Sequence, residues 1–243
     1  GSPTTLNLIL RAGAYADVIK ECLPKFEEEH NVKCEVQELS ESDLYSGIAL
    51  DAINQKGSYD LCMVDGSWMA EFTENGVLAN LSDLGYELDD DIIPATTSIC
   101  YVGDDVYLAP YYGNVTVLML NKENVKAAGY TADTIESLDD VLAVCEKAKA
   151  DGKKGFIYRG DSQNNTVDLL SYGGWVIDDS NKPTVNTQEF KDAMNFYLKL
   201  IATGEAQVKD DLIASVDTGA GTMGVGWPGW YTPTADSPAD YIA

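Results

Sequence analysis

Positive charge and histidine are scarce in this chain of 243 residues. Sixteen lysines and arginines stand against 40 acids, the formal net charge is −24, and there is one histidine. Only Arg11 and Arg159 are arginines. A surface this acidic repels phosphate backbones, so nucleic acid is not an expected partner. It is also repelled by anionic membrane faces, and it suits a secreted or surface protein that must stay in solution. The lone histidine, His30, closes the run KFEEEH, where a cation favours the end of a helix. No GxSxG elbow occurs and no candidate nucleophile lies near that histidine, so nothing supports a Ser-His hydrolase. P-loop and GxGxxG signatures are missing as well. DDSNKP at 178–183 lacks the glycine and spacing of a calcium loop. No apolar run reaches the roughly 18 residues that a spanning helix needs. Internal repeats and low-complexity tracts are absent too.

Cysteine is present without a pattern. Cys22, Cys34, Cys62, Cys100 and Cys145 form no CxxC and have no histidine partners, which excludes a zinc ribbon and a thioredoxin motif. Their apolar neighbours predict free, buried, inert thiols; Cys22 with Cys34 is the most plausible disulfide if one forms. No metal ligand set, cofactor motif or catalytic residue stands out. A glycosidase-type carboxylate pair stays open, since 40 acids offer many pairs and single out none. The first residues, GSPTT, read as an expression remnant ahead of a mature N-terminus, with a targeting segment removed.

What is there is ordinary core material, 45% hydrophobic residues, in an alternating pattern. LNLIL at 6–10 reads as a strand. Residues 14–30 read as a helix with Val18, Cys22, Phe26, Ile19 and Leu23 at helical spacing, and Pro24 predicts a kink or break in it. Residues 32–38 alternate like a half-buried strand. Ser40 and Asp43 resemble a helix cap. YDLCMVD, 59–65, suits a strand buried on both faces, and the helix after it closes at Gly76. A second cycle starts with a strand at 115–121 and a helix from Lys122 to Gly129. Ser137 and Asp140 start another helix that ends near Gly152, GFIY at 155–158 is a strand, and a helix is expected near 166–172. Phe190, Met194, Tyr197 and Ile201 stripe a long helix that ends at Gly204. LIASVDTG is a short helix and GTMGVG a last strand. The fold class is α/β: two units, 1–112 and 113–243, each a mainly parallel sheet flanked by helices, joined around residues 109–115.

Open α/β sheets bind ligands outside the carboxyl ends of their strands. Arg11 and Tyr15 follow the first strand, and Asp65 and Trp68 follow YDLCMV. Tyr111, Tyr112 and Asn114 lie in PYYGN. Arg159 and Asp161 follow GFIY. Trp175 lies in YGGW, and Trp227, Trp230 and Tyr231 make up GWPGWY. All four tryptophans and both arginines therefore sit at or near such ends. Aromatic faces stack on pyranose rings while Arg, Asp and Asn bond hydroxyls, so together they suit a mostly apolar cleft with a few placed polar groups. Each has a plainer reading beside it. Asp65 also fits as a helix cap, Trp68 as core, and Tyr111 and Tyr112 as packing at a domain joint.

LILRAGAYADVIKECLPKFEEEH, DGSWMAEF, PYYGN with the following NKE helix, and GWPGWY resemble the extracellular solute-binding proteins of ABC importers, in the carbohydrate-binding branch. The likeness runs through essentially the whole chain in the family's order. It implies a periplasmic-binding-protein-like fold of two lobes joined by a hinge, closing on a sugar or oligosaccharide that is handed to a membrane permease. It also implies a non-enzymatic receptor outside the cytoplasm, lipid-anchored at the cell surface. By the same resemblance Trp227 or Trp230 stacks on the sugar, Trp230 being favoured for the ring stack with Trp227 or Tyr231 bordering it. Members are usually longer, so the resemblance implies that the C-terminal completion of both lobes is missing. Two rival readings remain. One is a receptor for a polyamine or other cationic solute, held by carboxylates and aromatic faces. The other is a carbohydrate-active enzyme.

Overall fold

The structure is a computed structural model that describes residues 2–159 and 176–242. The chain falls into two units, Gly1–Gly113 and Asn114–Ala243. The first is organised around β1 (Thr4–Arg11), whose central residues Leu8, Ile9 and Leu10 are buried. Helix α1 (Ala14–His30) leads to β2 (Val32–Leu39), helix α2 (Glu41–Ile53) follows, and β3 (Leu61–Cys62) completes the sheet. The order is β2-β1-β3 with both pairings parallel. Ile9, Leu44, Ile48 and Phe72 form one apolar cluster, and Leu8, Leu10 and Ala16 another. After β3 come a short 3-10 turn and α3 (Met69–Glu74), closed by Gly76 at φ 66°. Helix α4 (Pro94–Thr97) and the two-residue antiparallel strands β4 (Tyr101–Val102) and β5 (Asp105–Val106) end the unit.

Several expectations fail here, in whole or in part. Helix α1 is continuous through Pro24. Pro24 and Lys20 are both exposed, so water can serve the carbonyl that loses its helical partner. The buried face of α1 is Ala16, Ile19 and Leu23, while Val18 and Phe26 lean outward at 53% and 40% exposure. Cys22 shares that outer face and is exposed, contrary to the burial predicted for every thiol. All five cysteines are free, and Cys22 and Cys34 form no disulfide. Burial pushes the Cys62 thiol up to about 11 and Cys145 up to about 12, so both are inert near neutral pH. Finally, β3 is short and at the edge of its sheet, which leaves Leu61 half exposed instead of buried on both faces.

The second unit has β6 (Val117–Asn121), α5 (Lys122–Ala127), α6 (Leu138–Ala150) and β7 (Ile157–Arg159). It continues with α7 (Gln188–Ile201), β8 (Glu205–Gln207), α8 (Lys209–Thr218), β9 (Met223–Gly226) and β10 (Ala239–Ile242). The helix expected near 166–172 lies outside the described residues. Ser137 caps α6 as anticipated: its hydroxyl accepts from Asp140 N, and the Asp140 carboxylate accepts from Ser137 N at 2.9 Å. The Ser137 hydroxyl, which also donates to that carboxylate at 2.8 Å, and then the Glu136 and Ser137 amides hold the Asp140 carboxyl below the usual carboxylate range. The buried stripe of α7 is Ala193, Phe196 and Leu200, one position off the predicted row, whose members are half-buried.

Strand direction is mixed in this unit. β6 runs antiparallel to both β10 and β9, while β7 and β8 pair in parallel and a single parallel bridge, Phe156 to Met223, links β7 to β9. The junction at Gly155–Phe156 holds these strands together. Gly155 N donates to Thr203 O at 2.8 Å, and Met223 N donates to Gly155 O at 3.1 Å. Thr203, only 5% exposed, receives Phe156 N on its hydroxyl at 3.0 Å and passes its own proton to Leu200 O at 2.6 Å.

Gly204 is required at this junction, because a Cβ there would stand 1.7 Å from the Phe156 carbonyl oxygen. Since backbone must shift to admit a methyl group, Gly204→Ala is expected to lower unfolding stability by roughly 3 kcal/mol or more, at the upper end of overpacking costs. Urea denaturation measures this; a loss below about 0.5 kcal/mol, within the range of surface substitutions, contradicts the tight approach.

Candidate functional site

In the first unit the carboxyl end of β1 places Arg11 opposite Leu39, at the end of β2. The chain then turns into α2, whose first residue, Glu41, brings Oε2 within 2.9 Å of Arg11 Nη2. The Arg11 guanidinium also lies over the Tyr15 ring, 4.7 Å from its centroid. Tyr15 meets Tyr112 edge-on at 4.9 Å, and Tyr111 Oη donates to the Tyr15 carbonyl at 2.8 Å. Tyr111 and Tyr112 are nevertheless 46% and 48% exposed. Their hydroxyls are pushed above the ordinary range, chiefly by burial, with Tyr15 adding to the shift at Tyr112 and Arg11 opposing it. The result is a polar-tipped aromatic ledge at the end of β1.

Asp65 and Trp68 are engaged differently. Asp65 Oδ1 accepts from Ser67 N at 2.9 Å and from Ser67 Oγ at 2.6 Å, which makes it the cap of the 3-10 turn. Trp68 is half-buried, with Tyr45 at 5.4 Å and Phe72 at 5.9 Å between ring centroids. The plainer readings of these two residues thus describe their contacts in the first unit.

In the second unit the carboxyl ends of β7, β8 and β9 point the same way, since the three are mutually parallel. β7 ends on Arg159, β8 is followed by Val208 and Lys209, and β9 runs into Trp227 and the 3-10 turn Pro228–Trp230. Arg159 Cζ and Lys209 Nζ each lie 5.5 Å from the centroid of the Trp230 ring. Trp227 is tilted against Trp230 at 4.9 Å. Close packing seats Trp230: a Cβ on Gly226 would meet its Cε3 at 2.9 Å. Tyr231 Oη donates to Asp217 Oδ1 at 2.6 Å, and burial followed by that bond raises its hydroxyl above the ordinary range. Asn114 is exposed, three residues before β6, whose first residue Val117 pairs with Gly226. It therefore belongs to the same edge of this sheet. Asp161 and Trp175 lie outside the described residues.

Two residues of these clusters, Glu41 and Lys209, were not anticipated. Both follow the carboxyl end of a strand, so the rule that singled out the others also reaches them. Glu41 was hidden behind the capping role of Ser40, and Lys209 follows a strand of three residues. Among the described residues no group of His, Cys, Asp and Glu could hold a metal ion, and no helix is long and apolar enough to cross a membrane.

The Arg11–Glu41 pair is exposed, with side chains 37% and 52% accessible, and exposed pairs contribute about 0–1 kcal/mol. Glu41→Gln is therefore expected to leave the melting temperature within a few degrees of the parent. A much larger drop in calorimetry shows that the pair holds up the fold instead of merely orienting Arg11.

A family model described as bacterial extracellular solute-binding protein matches residues 10–242. A probable amino-acid ABC transporter periplasmic-binding protein, y4oP of Sinorhizobium fredii, is 24% identical, with 92% of this chain and 56% of that protein covered. Among solved structures, the GacH receptor of Streptomyces glaucescens, studied unliganded and with acarbose, superposes with a TM-score of 0.79 at 20% identity, covering 94% of this chain and 61% of that one. A solute-binding protein from Thermotoga lettingae with α-D-tagatose gives 0.77 at 22% identity, with 94% and 63% covered. Maltose-bound MalE3 of T. maritima gives 0.76 at 20% identity, with 98% and 66% covered. The chain thus spans 56% of the curated relative and 61–66% of these structures.

Proposed function

Because this chain belongs to the bacterial extracellular solute-binding proteins, we propose that the protein captures a sugar or oligosaccharide outside the cytoplasm and delivers it to the permease of an ABC importer. The family is one of receptors, not enzymes, and it is extracellular; attachment to the cell surface by a lipid completes the proposal. The fold it shares with the receptors for acarbose, tagatose and maltose supports a carbohydrate. The observation that carries the reading is the gathering of Trp227, Trp230 and Arg159 at the carboxyl edge of β7 and β9, where indole faces and a guanidinium suit a pyranose and its hydroxyls. In the second unit Asn114 and Tyr231 are further candidate contacts, as are Asp161 and Trp175; in the first unit the candidates are Arg11, Tyr15, Asp65, Trp68, Tyr111 and Tyr112.

The cationic-solute reading is disfavoured by the charge at these edges. Arg11 and Arg159 both end strands there, and neither suits an ammonium ligand. The name of the S. fredii relative makes amino acids the natural second arm of a binding screen.

Trp227 is the informative position, because Trp230 is also packed against Gly226 and the cluster around Met119. Once a screen of sugars, polyols and amino acids by thermal shift has found a ligand, Trp227→Ala is expected to weaken its binding by roughly 1–3 kcal/mol, the range of desolvated aromatic anchors. Calorimetry that finds Trp227→Ala and Trp230→Ala both binding like the parent contradicts the stacking assignment. A screen answered by amino acids alone contradicts the carbohydrate reading.

A further inference from the structure

We propose that Tyr231 is a positioning residue for the stacking turn: its hydroxyl, bonded to Asp217 at the end of α8, fixes the turn that presents Trp227 and Trp230. The inference rests on the carbohydrate-receptor reading and names a residue on which the affinity of that site depends.

The turn lies between β9, which ends at Gly226, and β10, which begins at Ala239; both strands pair with β6. Trp230 N donates to Trp227 O at 2.9 Å and Ser237 N to Thr234 O at 3.0 Å, so these bonds stay inside the connecting segment. Lys122 Nζ reaches Ala235 O at 3.1 Å, beyond the aromatic residues. The Tyr231 hydroxyl is the group that ties the aromatic stretch to a helix, donating to Asp217 Oδ1 at 2.6 Å. A tyrosine hydroxyl has one proton to give, and here a carboxylate takes it. Bonds of that charge-assisted kind are about twice as strong as neutral ones.

Helix chemistry does not account for Asp217. It lies in the last turn of α8, one residue before the end, where the negative end of the helix dipole disfavours a carboxylate. Among the described residues it enters no salt bridge; its side-chain partner there is the tyrosine. The main chain that carries it is firm. Val216 is fully buried, and its carbonyl accepts from Asn121 Nδ2 at 3.0 Å. Asp217 is therefore a fixed post at the end of β6. The Tyr231 ring rests with Trp230 on the cluster of Met119, Ile157, Leu212, Val216 and Ala239, whereas Trp227 leans on Trp230, 4.9 Å away. Apolar packing is non-directional, so the ring contact alone leaves the turn free to slide, and the hydroxyl bond supplies the direction. Holding Tyr231 holds Trp230, its neighbour in sequence, and Trp227 through Trp230. A platform held in place before the ligand arrives loses less freedom on binding.

The test uses the purified, nitrogen-labelled chain, first alone and then with maltose, glucose and galactose as probes. Tyr231→Phe keeps the ring and removes the bond, Asp217→Ala removes the partner, and Asp217→Asn keeps an acceptor oxygen. In the parent the backbone order parameters of Trp227 and Trp230 are expected in the rigid range, about 0.85. In Tyr231→Phe and Asp217→Ala they are expected to fall toward about 0.6, while melting temperatures stay within a few degrees of the parent. The double variant is expected to be no looser than either single one, and Asp217→Asn to fall between parent and Asp217→Ala. For each probe that the parent binds, Tyr231→Phe and Asp217→Ala are expected to weaken binding on the order of tenfold in calorimetry. The order parameters decide the positioning role with or without a bound probe: values unchanged in both variants overturn it. A loosened turn that binds a probe as tightly as the parent overturns the claim that affinity depends on Tyr231. Trp227→Ala, measured beside them, separates the two readings. If it binds like the parent while Tyr231→Phe loosens the turn, the stacking assignment fails and the positioning of the turn stands.

Discussion

The close approach of Gly204 to the Phe156 carbonyl is the constraint on which the second unit depends. A distance that excludes even a methyl group brings the start of β7 against the chain entering β8. The Thr203 hydroxyl then closes the junction by accepting from Phe156 N. On the other side Gly155 O takes the amides of Thr222 and Met223. One short segment thereby fixes β7 between β8 and β9, all parallel. Arg159, Lys209 and Trp227 follow from it, because each stands at or just past the carboxyl end of one of those strands. The placement of these candidate residues is a consequence of backbone pairing several residues away.

A second buried network secures the far edge of the same sheet. Asn121, 3% exposed, caps α5 through Asn124 N at 3.0 Å and reaches Val216 O with its amide at 3.0 Å. Asn124 bonds Gly219 O at 3.0 Å and the Thr222 hydroxyl at 3.1 Å. These bonds tie the end of β6 to the end of α8 and the entry to β9. Buried amides satisfied in this way are stiff, so the GWPGWY turn is carried by a strand anchored at both ends. Rigid support of that kind suits a stacking platform, which gains affinity when it needs no reordering.

Much of this was legible in the sequence. The Ser137–Asp140 cap, the glycine stops at 76, 129 and 152, and the placement of Arg11, Arg159, Trp227 and Trp230 at strand ends all follow from local chemistry. The direction of β6 did not. Its apolar run reads the same either way, and only pairing with β9 and the distant β10 makes it antiparallel. The buried face of α7 was misplaced, and α1 buries the Ile19 and Leu23 row of its expected stripe but not Val18, Cys22 and Phe26, because apolar residues surround more than one side of each helix and tertiary packing chose among them. Lys209 was missed because β8 has three residues, too few for any alternation to show. Glu41 was missed because its role comes from the register of β1 with β2, which brings Arg11 to the start of α2.

In the proposed reading the indoles after β9 meet the ligand, while Trp68 is occupied with Tyr45 and Phe72 in its own unit. The indole N–H resonances of the tryptophans report this directly in a nitrogen-labelled sample titrated with a sugar that calorimetry shows to bind. The Trp227 and Trp230 signals are expected to move together and saturate at the stoichiometry of binding. Both signals standing still through a titration in which the sugar demonstrably binds would contradict it.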